Sequence, residues 1–333
     1  MKKIIFLLTC SLFVFASCGK PTEEMIQTAI EETKAAETDS DPLNQSTQDE
    51  SSDLNKEIER SDEIVFDQGE DALWGDLYKI NADGRDLVKL FNRQEFNFNH
   101  SGHPTWSPDG TQIAFSALVG SDSHWEIWRM DMESGELEEF EDAKGGMNPS
   151  WSPEGTKLAF VVWEDNADIR TINFDGSGLR TVIEDSANDT DPDWSPDGSK
   201  IVFSSDRDGE DGEIYIMSVL GSDITQLTDN QVNEFDPSWS PDGSQIAYLY
   251  YQGADAYVEI HVLDLHSKDI QRITTKSEFP NLSAGWGLDW SPDGNSLFFS
   301  SEGNIYSIGL ASGSDPNLIF SGERFTENPV WRP

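Results

Sequence analysis

Asp191-Pro192-Asp193-Trp194-Ser195-Pro196-Asp197-Gly198-Ser199-Lys200-Ile201-Val202-Phe203-Ser204-Ser205-Asp206-Arg207-Asp208-Gly209 is the stretch whose reading decides the fold. Pro196 suits the second position of a type I turn, and Gly198 accepts the positive φ that follows it. The segment therefore reads as a strand, a tight turn and a second strand. Trp194 is large enough to fill the space beside a neighbouring sheet. Ile214 to Met217 adds another apolar run and Ile224 to Thr228 a weaker one, which makes four strands in all.

The same unit recurs in both directions. Trp-Ser-Pro-Asp/Glu-Gly stands at Trp106, Trp151, Trp194, Trp239 and Trp290, at separations of 45, 43, 45 and 51 residues. A small antiparallel sheet repeated at that period is a propeller blade. The ends supply the count. Ile64-Val65-Phe66, Leu77 to Ile80 and Leu87 to Phe91 are three strands with no opening Trp strand, while Asn328-Pro329-Val330-Trp331 is an opening strand with no blade after it. Joined, they make a sixth blade and close the ring, which removes exposed strand edges. The predicted fold is all-β, a six-bladed propeller of four-stranded antiparallel blades over residues 62–333.

Ahead of it, Lys2 and Lys3 precede an apolar run from Ile4 to Ala16, shorter than the roughly 20 residues a bilayer span needs. Residues 1–17 read as an export signal. Phe15-Ala16-Ser17-Cys18 resembles the bacterial lipobox, which implies a lipid on Cys18 and membrane attachment through it. Residues 18–61 carry too little apolar surface to offset ordering entropy and read as an acidic tether. With Cys10 in the signal segment, Cys18 is the only cysteine left, so no disulfide framework is available. The net charge of −41 argues against nucleic-acid partners.

The repeat Asp-Pro-x-Trp-Ser-Pro-Asp-Gly, with Ile214-Tyr215 and Gln226-Leu227-Thr228 after it, resembles the TolB-type propeller repeat. The resemblance spans Asp62 to Pro333. It implies a bacterial cell-envelope protein, on the periplasmic or surface side and outer-membrane anchored. TolB proper carries an α/β domain ahead of its propeller, where this sequence has a tether. Fold likeness says little about function.

Propeller connectivity places the Ser-Pro-Asp-Gly turns on one face and the long second-to-third-strand loops on the other. Binding residues concentrate on variable loops held by a rigid frame. The long-loop face is thus the expected binding face, with Trp74, Trp125, Trp163, Tyr251, Tyr257 and Trp286 as its contact residues. Three residues before each opening Trp lie His103, Asn148, Asp191, Asp236, Gly287 and Asn328. Equivalent blades would gather these into a ring at the channel mouth, able to hold a divalent cation such as Ca²⁺ or a cationic group of a partner.

Nothing in the sequence matches a hydrolase: no Gly-x-Ser-x-Gly occurs, and no α/β catalytic domain accompanies the repeats. The reading is a non-catalytic, membrane-tethered binding or scaffold protein engaging an envelope protein, peptide or glycan. The alternative is a propeller enzyme such as a metal-dependent polysaccharide lyase, with only five histidines to build its site.

Overall fold

In a computed structural model of the chain, residues 63–69, 75–120, 124–209, 211–252, 257–275, 287–311, 314–322 and 325–333 are described. Six four-stranded antiparallel sheets follow one another around an axis. Blade 1 combines the C-terminal strand Phe325–Trp331, which is innermost, with Glu63–Gly69, Gly75–Asn81 and Val88–Lys89. Ile64 lies opposite Trp331 and Gly69 opposite Phe325, so the last strand completes the first blade and closes the ring. The innermost strands of blades 2 to 6 are Phe98–Trp106, Gly146–Trp151, Asp189–Trp194, Asn233–Trp239 and Leu288–Trp290. Among the described residues there is no α-helix, only a 3₁₀ turn at Arg93–Phe96.

The core is distributed rather than central. Each of six apolar clusters joins two adjacent blades. Ala114 and Ile127 of blade 2 pack with Trp151, Leu158 and Phe160 of blade 3. Ile64, Phe66 and Ile80 of blade 1 pack with Phe298, Ile305 and Ile319 of blade 6. Second strands such as Lys200–Ser205 are apolar on both faces because they are covered on both sides by neighbouring blades. The outermost strands, two to five residues long, face solvent.

The repeated turn is structural. Ser195 Oγ donates to Asp197 Oδ1 at 2.7 Å, and Lys200 N–H donates back to Ser195 Oγ at 2.9 Å. Gly198 supplies the required φ of +69°. Hydrogen bonds from Ser195 and Ser199 hold the Asp197 carboxyl down at about 2. Asp109, Asp242 and Asp293 repeat the arrangement. The signal segment, Cys18 and the tether all fall outside the described residues.

Candidate functional site

The six positions three residues before each opening Trp share one backbone geometry. His103, Asn148, Asp191, Asp236 and Asn328 all sit at φ between +50° and +55°, and Gly287 at +102°. In all but Gly287 a proline follows, and the register of the innermost strand shifts at that pair, as between Gly102 and Thr105 or Thr190 and Asp193. Proline has no N–H to give the ladder, so the strand bulges there and the preceding residue turns left-handed. Asn, Asp and His tolerate that conformation better than other side chains. All six residues line the lower channel, a cavity of about 340 Å³ on the tight-turn side.

These ring side chains are largely spent on stitching neighbouring blades together and, at Asn328, on fastening the closing strand to the second strand of blade 1. Asn148 Nδ2 donates to Asp191 Oδ1 at 2.9 Å, Gly287 N–H to Asp236 Oδ2 at 2.8 Å, and Asn328 Nδ2 to Asp67 Oδ1 at 2.8 Å. The backbone N–H of Asp236 donates to Asp191. Two residues further along, Asp193 accepts from the Trp239 N–H and Asp289 from the Trp331 N–H, at 2.9 and 2.8 Å. Enclosure in the narrow channel pushes Asp289 up to about 7 and Asp193 up to about 6. Burial first, then the charge of Asp191, raises Asp236. Burial holds His103 down at about 4, with the charge of His100 adding to the effect, so the imidazole is neutral. Among the described residues no three His, Cys, Asp or Glu side chains meet in a group that could hold a metal ion. The Asp191 and Asp236 oxygens face backbone N–H groups and an amide of the neighbouring blades.

Above the ring, on the long-loop face, a cavity of about 780 Å³ opens. Trp125, Trp163 and Tyr251 line it, as the sequence predicts for that face, together with His100, His103, Asn148, Asp191 and Asn328. Trp163 is 52 % exposed. Trp125 meets the His100 ring edge to face at 5.5 Å, and the His100 Nδ1 accepts from the Gly75 N–H at 2.7 Å. Tyr257 is a correction. It opens the third strand of blade 5, opposite Gln252, and is only 2 % exposed in the core between blades 5 and 6. Trp74 and Trp286 lie outside the described residues.

Several lining residues escape sequence reasoning: Asp67, Ser204, Glu234, Phe235 and Glu327. Burial raises Asp67 to about 8 despite the Asn328 hydrogen bond, with Glu327 adding to the rise. Burial and then the charge of Glu213 push Glu234 up. A signal for some of them does exist. The residue just before each ring position is Gly102, Met147, Thr190, Phe235, Trp286 or Glu327, a different side chain in every blade. Four of these, Met147, Thr190, Phe235 and Glu327, line the loop-face cavity.

Six four-stranded blades, sealed by the last strand and hollowed at the loop face, define a closed β-propeller. Residues 65–276 match the TolB β-propeller domain, and the chain belongs to that family. No curated protein sequence matches it. Among solved structures, TolB from Acinetobacter baumannii aligns over 83 % of this chain and 67 % of its own, at 19 % identity and TM-score 0.69. A nidogen/laminin complex aligns over 81 % of this chain and 98 % of its own, at 9 % identity and TM-score 0.65. An oligogalacturonate lyase in complex with manganese aligns over 79 % and 75 %, at 14 % identity and TM-score 0.53. At these identities the likenesses speak to fold alone.

Proposed function

We propose that the protein is a non-catalytic binding module of the cell envelope, engaging a protein or peptide partner through the loop-face cavity. Lipidated Cys18 and the acidic segment 18–61 would tether the propeller (residues 62–333) to a membrane after loss of residues 1–17. The observation that carries the reading is the cavity itself. Its volume of about 780 Å³ and its aromatic lining of Trp125, Trp163, Phe235 and Tyr251 suit insertion of a chain segment or loop. A solved neighbour described as a nidogen/laminin complex has a similar fold, and it lends the reading support by analogy only.

The test is site-specific photocrosslinking in the native cell. A photoreactive residue at position 163 should capture a discrete partner, and one at position 87, on the outer rim of blade 1, should not. Capture from position 87 alone would mean that the partner docks on the rim. Labelling with a fatty-acid analogue, lost in Cys18→Ala, tests the anchor; labelling that survives the substitution would refute it.

A further inference from the structure

The loop-face cavity carries acids on its walls and, among its described lining residues, no cationic side chain of the Lys or Arg type. Five carboxylates line it, from Asp67, Asp191, Asp206, Glu234 and Glu327, with neither Lys nor Arg among the lining residues. In so acidic a chain that count alone decides nothing; what the acids are bonded to does. Asp206 is engaged by the Asn188 backbone and side chain at 2.8 and 2.7 Å. Asp191 is held by Asn148 and by Thr190 Oγ1 at 3.0 Å, and Asp67 by Asn328.

Glu327 differs. Its carboxyl is half-buried, directly across the strand pair from Asp67, and has no hydrogen-bond or ion-pair partner among the described residues. Burial pushes it up to about 7. Ser204, only 3 % exposed, stands in the same cavity with its hydroxyl turned to the Asp191 carboxyl, which leaves Glu327 as the acid without such support. A desolvated, unpaired carboxylate is costly until a cation neutralises it, and aromatic faces attract cations while covering apolar stems.

We propose that the cavity selects a basic side chain of its peptide partner, an Arg guanidinium or Lys ammonium seated on Glu327 with its stem against Trp125 and Trp163. The inference rests on the peptide-binding reading above and names the chemistry that site recognises. An acidic segment would find neither Lys nor Arg among the described lining residues to pair with.

The test is selection from a displayed library of random dodecapeptides on the full chain, with a Trp125→Ala/Trp163→Ala variant as the control surface. Enriched peptides are then synthesised and measured by calorimetry beside versions with citrulline for Arg or norleucine for Lys. The expected result is a basic residue in each enriched peptide whose neutral replacement weakens binding about ten-fold or more. In Glu327→Gln, which keeps shape and removes charge, that penalty should shrink to about three-fold or less. Raising salt should weaken the basic peptides and leave the neutral versions nearly unchanged. Enriched peptides that need no basic residue, or a penalty undiminished in Glu327→Gln, would overturn the inference and leave peptide binding standing. No enrichment over the control surface would overturn both.

Discussion

Arg332, next to last in the chain, offers the sharpest test of how the ring is held shut. Its Nη1 donates to Glu63 Oε2 at 2.7 Å and its Nη2 to the Gly110 carbonyl at 2.6 Å, and the guanidinium lies over Trp106 at 5.1 Å. One side chain thus links the closing strand and second strand of blade 1 to the first turn of blade 2. Both members of the ion pair are largely removed from water, at 12 % and 14 % side-chain exposure, so the pair is worth more than a surface bridge. A hydrogen bond from a charged donor contributes ~1.5–3 kcal/mol and a partly desolvated cation–π contact ~0.5–1 kcal/mol. Glu63 retains Lys79 at 2.6 Å after Arg332 is lost, which spares it the full cost of an orphaned charge. The expected loss for Arg332→Ala is therefore ~3 kcal/mol, a fall in melting temperature of about 6 °C in a chain of this size. Arg332→Lys should recover less than half, because an ammonium cannot serve both oxygens in the planar geometry of the fork. Thermal melts followed by tryptophan fluorescence read the effect, and a cycle with Glu63→Gln isolates the pair. A loss below ~1 kcal/mol for Arg332→Ala would refute the view that this contact fastens the seam.

Three further outcomes follow from the channel and the cavity. Asp193 and Asp289 are held at about 6 and 7, above the free carboxyl value, so the stability they contribute is complete below about pH 4. It is lost as pH rises through their folded values. The melting temperature should fall between pH 5 and 8, and fall less in Asp289→Asn; equal slopes would contradict the assignment. His103→Asn places a residue better suited to φ +51° where the His103 Nδ1 lacks a partner, and should be neutral or stabilising by up to ~1 kcal/mol in urea titrations. Trp163→Ala should change stability by no more than ~0.5 kcal/mol while weakening the enriched peptides in calorimetry, since its ring is mostly in solvent.

The blade count and closure were legible because turns and bulges are written in residues with few alternatives. Pro196 and Gly198 fix a backbone path almost regardless of context, and Trp331 without a following blade has one place to go. The ring was legible for the same reason, since Asn, Asp or His before Pro marks the bulge. Its chemistry was not. Whether Asp191 faces a cation or the Asp236 N–H depends on an inter-blade distance that no single repeat encodes. Tyr257 shows the same limit: a loop-edge aromatic and a core aromatic look alike until the depth of the strand is known. Glu327 was hidden in plain view. Six repeats align against one another, and a position that differs in every copy, beside neighbours that recur, is free of the duty to hold the fold.

The seam also gives the disc a front and a back. Glu63 pairs with Arg332, which reaches the carbonyl of Gly110 in a tight turn, so the described chain starts on the face opposite the aromatic cavity. The strand that begins there, Glu63–Gly69, is clasped on both sides, between the closing strand and the third strand of its blade, so pulling on its first residue loads the middle of a sheet rather than a blade edge.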